Sequence, residues 1–66
     1  MVNENATDCR FVVYSEQDGK RTDHATVLTA QGARSTLTRR LRAGKITAPS
    51  YGWERQELVG GEWITC

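Results

Sequence analysis

Two turn signals, Asp18-Gly19 and Gly60-Gly61, constrain this chain more than any other feature of its sequence. Glycine accepts the positive φ that tight hairpin turns demand, and each signal lies between runs rich in β-branched and aromatic residues. Cys9 to Tyr14 runs toward the first turn and Thr22 to Leu28 leaves it, while Trp53 to Val59 and Glu62 to Cys66 flank the second. Two hairpins are therefore predicted. Between them Thr29 can cap a helix that begins at Ala30, and Gly44 stands just past Ala43, where helices commonly end. The order is strand, strand, helix, strand, strand. It predicts an α+β domain in which a four-stranded antiparallel sheet has one face covered by a single helix.

The register of the first hairpin depends on how many residues its turn consumes. A two-residue turn at Asp18-Gly19 sets Phe11 opposite Thr26 and Val13 opposite His24, which mixes apolar and polar groups on both faces. A three-residue loop, Gln17-Asp18-Gly19, with Gly19 in a bulge, sets Phe11 opposite Ala25 and Cys9 opposite Val27. The second register keeps one face mostly apolar and is the expectation. The other face then carries Arg10, Val12, Tyr14, Thr22, His24 and Thr26.

Along the helix, Ala30, Ala33, Leu37 and Leu41 fall in one narrow stripe at about 100° per residue. Arg39 and Arg42 lie opposite this stripe, and Arg34 and Arg40 flank it. Gly32, in the first turn, is expected to let the helix approach the sheet closely. Residues 45–52 read as a loop, and residues 1–8, which have no apolar period, as a loose tail ahead of a single domain spanning 9–66.

Charge is distributed unevenly. Residues 1–23 carry five acids and three bases, residues 24–53 five bases and no acid, and residues 54–66 three acids and one base. The whole chain has a net charge of only +1. The basic segment is Arg34, Arg39, Arg40, Arg42 and Lys45, and the bases near the helix C-terminus complement its dipole. A solvated helix face explains such a cluster, yet four of the five are Arg, the better group for bidentate contact with phosphate. Arg39 and Arg42 are expected to matter more than Arg40, which lies nearer the sheet.

At 66 residues there is room for one small domain, and Leu, Ile, Val and Phe together number only twelve. A thin core follows, and pairing of two sheets in a homodimer would enlarge it. No apolar run reaches the roughly 20 residues of a membrane span, and residues 1–10 lack the pattern of a signal peptide, so a cytoplasmic protein with no membrane partner is expected.

Catalytic chemistry is poorly supplied. The single His24 adjoins Asp23, but neighbouring strand residues point to opposite faces. Ser15 and Ser35 lack a context that would activate a hydroxyl, and Cys9 and Cys66 are too far apart in sequence for a zinc motif. No enzyme, metal or cofactor is expected. Two free thiols are expected in a reducing compartment, although Cys9 and Cys66 would come within bridging reach if the first and last strands were neighbours. Tyr14, Tyr51, Trp53 and Trp63 offer a stacking platform for bases or, as is more usual, core groups. For Trp63 the alternation is awkward, because Ile64 and Cys66 point the other way.

Asp23-His24-Ala25-Thr26-Val27, then Thr29, Gly32-Ala33 and Leu37-Thr38-Arg39, followed by Trp53-Glu54 and Glu62-Trp63, resemble the small accessory proteins encoded by tailed bacteriophages and prophages. The resemblance implies a phage origin and carries over no functional residue. The expectation is a non-enzymatic module that binds a host or phage protein, with nucleic acid bound through helix 30–43 as the alternative. The candidate binding residues are Arg34, Arg39, Arg40, Arg42, Lys45, Tyr14 and Trp63.

Overall fold

A computed structural model describes residues 6–66. The elements are β1 (Ala6–Gln17), β2 (Lys20–Val27), α1 (Ala30–Arg42), β3 (Ser50–Val59) and β4 (Glu62–Thr65). The strands form one antiparallel sheet in the order β2-β1-β3-β4, and α1 covers one face, giving the α+β fold. β1 begins at Ala6, inside the segment expected to be a loose tail; residues 1–5 of that segment lie outside the described residues.

The first hairpin corrects the expected register. Its turn is the two-residue one, with φ of 55° at Asp18 and 77° at Gly19 and with Gln17 opposite Lys20. Positive φ at both positions gives the turn a twist that matches the strands it joins. Left uncorrected, that turn would set Val13 against His24. Instead the ladder shifts between Val13 and Tyr14: Tyr14 pairs with Asp23 and Val13 with Ala25, so His24 is the extra residue of a β-bulge. Phe11 then faces Val27 rather than Ala25. The residue needed for an apolar face is inserted in the strand, not in the turn. Gly19→Val should still destabilise the domain by more than about 1 kcal/mol, because a β-branched residue resists positive φ. An unchanged melting temperature would contradict the observed turn.

The helix ends follow the sequence. Thr29 Oγ1 accepts a hydrogen bond from the Gly32 amide at 3.0 Å, and beyond the Ala43 cap Gly44 has φ of 70°. The role of Gly32 differs from the expected one. A Cβ there would sit 2.9 Å from Thr29 Oγ1, whereas Val27, the nearest sheet residue, would be 3.7 Å away. Gly32 therefore makes room for the capping hydroxyl rather than for the sheet.

The core lies between α1 and the sheet. Val13 and Ala33 are fully buried and Ile46, from the loop after the helix, is nearly so; Phe11, Ala25, Val27, Leu37, Leu41 and Trp53 pack around them. Phe11 and Trp53 meet edge to face, with ring centroids 5.8 Å apart. Trp63 contributes nothing to this core, since it lies on the opposite face and is 36% exposed.

Candidate functional site

The sequence-derived candidates separate onto the two sides of the sheet. Tyr14 and Trp63 lie on the face away from α1, together with Arg10, Val12, Arg21, Asp23, Glu54 and Gln56. Arg21 bonds Asp23 at 2.8 Å and Glu54 at 2.6 Å, and its guanidinium sits 4.4 Å from the centre of the Tyr14 ring. Glu54 also accepts from Gln56 at 2.8 Å and from Thr65. Arg10 donates to Gln56 Oε1 at 2.8 Å and lies 4.0 Å from the centre of the Trp63 ring.

These contacts form one side-chain lattice across four strands. Beneath it Val12 is only 1% exposed, although it points away from the helix. Val12, the aliphatic residue expected on this face, is therefore covered by the chain's own polar side chains. Each of the two aromatic rings has an arginine over one face, which occupies the platform expected for stacked bases. Thr22 and His24, expected on this face, are displaced by the two-residue turn, and Arg21 and Asp23 take their places.

Glu54 is the hub of the lattice. Its partial burial opposes ionisation, but hydrogen bonds from Thr65, Arg21 and Gln56, and the Arg21 charge, outweigh that and hold its pKa at about 2. The same contacts, with Glu54 first and Asp23 second, raise the pKa of Arg21 further.

The helix side is the reverse. Arg34, Arg39, Arg42 and Lys45 are exposed and Arg40 is half-buried. Among the described residues none of these five takes part in an ion pair. Their single hydrogen bond to another side chain among the described residues is a long one, 3.5 Å, from Arg39 Nη2 to Thr36 Oγ1. The Nε of Arg40 is buried with no acceptor among the described residues. A hollow of about 320 Å³ lies beside it, lined by Thr36, Arg39, Arg40, Ala43 and Lys45. Sequence reasoning ranked Arg40 below Arg42; the hollow gathers Arg40 with Arg39 and Lys45. No local signal in the sequence could have shown it, since Lys45 arrives by way of the chain reversal at Gly44.

The two-residue turn creates one contact that the sequence did not suggest. It places His24 on the helix side, where its Nε2 lies 2.7 Å from Ser15 Oγ. Asp23 points the other way and is held by Arg21, so it does not orient the imidazole. The cysteines do not bridge. β3 runs between β1 and β4, so Cys9 and Cys66 are two strand spacings apart, about 9–10 Å, beyond the reach of a disulfide. Cys66 Sγ donates to Glu57 Oε1 at 2.8 Å, and that carboxylate, followed by burial, pushes the thiol pKa up. Among the described residues no group of three or more His, Cys, Asp or Glu is placed to hold a metal ion, and no helix is long and apolar enough to cross a membrane. No family model, curated protein or solved structure matches the chain.

Proposed function

We propose that the chain is a non-enzymatic binding module whose helix α1 contacts a polyanion, with nucleic acid as the partner. One contrast carries this reading. Arg10, Arg21 and Arg55 are each hydrogen-bonded to a side chain across the sheet or along a strand, whereas the five bases of residues 34–45 have no ion pair among the described residues. A positive field left uncompensated on one helix suits a row of phosphates. The hollow supports it further, because Arg39, Arg40 and Lys45 line it together and a phosphate there would meet three bases at once.

Backbone contacts of this kind do not read base edges, so the binding is independent of sequence. Given the resemblance to phage accessory proteins, the module acts in the cytoplasm of a bacterial host. Short duplex and single-stranded DNA and RNA should bind at low salt, and Arg39→Ala with Arg42→Ala should weaken binding at least about tenfold. Arg40→Gln should weaken it no less than Arg39→Ala alone. Affinity weaker than about millimolar for every oligonucleotide at low salt would contradict the reading.

A second reading, docking of a host or phage protein, is favoured by β4. All four of its residues are exposed, with Trp63 at 36% and Ile64 at 46%, and β4 is an edge of the sheet. Glu62→Lys with Ile64→Lys should abolish such docking and leave oligonucleotide binding intact.

A further inference from the structure

The cleft containing the Ser15–His24 pair lies between the first hairpin and residues 45–48, and is separate from the helix surface except for one shared residue. Its volume is about 390 Å³. That is at the lower end of small-molecule sites, which span about 300–1,000 Å³. Ser15 is buried in its floor, hydrogen-bonded to His24. Lys20 and Lys45 both line it, and neither has an ion-pair partner among the described residues. Thr47 adds a hydroxyl, and Asp18 is the single carboxylate among the lining side chains.

We infer that this cleft binds the phosphate group of a ligand of about nucleotide size. Two ammonium groups act as point charges on an oxyanion, and hydroxyl donors complete the contacts that a tetrahedral anion can accept. His24 Nδ1 has no partner among the described residues and is left for the ligand, because Nε2 is taken by Ser15. A planar carboxylate would favour paired arginine forks, and the cleft contains none. Lys45 also lines the hollow beside Arg39 and Arg40, so the cleft lies at one end of the basic helix surface. A phosphate bound there is either the terminal phosphate of a strand lying along the helix or that of a free mononucleotide. The site does not depend on the helix reading, since Lys20, Ser15 and His24 belong to the cleft alone.

The chain has one histidine, so the imidazole C–H resonances in a proton NMR spectrum report this site without ambiguity. At fixed pH and ionic strength, the titrants are inorganic phosphate, uridine 5′-monophosphate, uridine, and a trinucleotide with and without a 5′-phosphate. The phosphorylated ligands should shift the His24 signals saturably, and uridine and the unphosphorylated trinucleotide should not. Lys20→Gln, a change at an exposed residue, should weaken the response by about tenfold, the loss expected for one charge-assisted contact. A monophosphate that binds more tightly than inorganic phosphate supports the nucleotide-sized ligand, and equal binding of the two would overturn it. Retention of the monophosphate response in the variant carrying Arg39→Ala and Arg42→Ala separates this site from the helix surface. No saturable shift, an equal shift from uridine, or an unchanged response in Lys20→Gln would overturn the inference.

Discussion

Val12→Ala and Val13→Ala should each destabilise the domain by about 2 kcal/mol in denaturant unfolding. The two valines are adjacent in a strand and point to opposite faces, yet both are almost completely buried, at 1% and 0% exposure. Val13 lies under the helix, in contact with Ala33 and Ile46. Val12 lies under the lattice of Arg10, Arg21, Glu54 and Gln56. In each case two methyl groups lose their contacts and leave a void. The lattice can settle onto a smaller residue more easily than the helix can, so Val12→Ala should cost somewhat less. If Val12 faced solvent, the same substitution would change stability by no more than about 0.5 kcal/mol. A domain of this size has roughly 3–10 kcal/mol to lose, so both effects are large.

Loss of Glu54 should have a comparable effect and a distinctive pH dependence. Its pKa in the folded chain is about 2, against an ordinary value of 4.5. Because the folded value is the lower one, its contribution is complete above about pH 4.5 and is lost as the pH falls toward 2. A shift of this size corresponds to at most about 3 kcal/mol, and solvent screening on a face without a helix reduces that to about 1–2 kcal/mol. Glu54→Gln should therefore lower stability at neutral pH by about that amount. Its unfolding free energy should also fall less steeply than that of the wild type between pH 4.5 and 2. Parallel pH profiles for the two proteins would show that the carboxylate is not the hub of the lattice.

The parts of the fold that were legible in the sequence are those set by local chemistry. Asp18-Gly19, Gly60-Gly61, the Thr29 cap and the Gly44 terminus each act within a few residues, and each mark an element end in the structure. The bulge at His24 was not legible, because a single inserted residue leaves the local strand preference unchanged and shows only in the pairing. The Ser15–His24 contact follows instead from the two-residue turn, which sets Ser15 opposite Thr22 and so puts His24 on the same side. The lattice over Val12 needed the strand order, since Arg10–Gln56 and Arg21–Glu54 join residues 46 and 33 positions apart. The same order decides the cysteines. Of the candidate site, the basic helix was visible from charge alone, but that its bases form no ion pair among the described residues required the strand order, which turns Asp23 and Glu54 toward Arg21 on the far face.

The dependence of binding on salt tests that helix most directly. With a short duplex, log K plotted against log salt concentration should fall with a slope of about −3.6 to −4.5, as expected for four or five phosphate contacts. In the variant with Arg39→Ala and Arg42→Ala the slope should become shallower by about 2, and nothing else in the fold should change. A slope near zero, or the same slope in both proteins, would contradict the account.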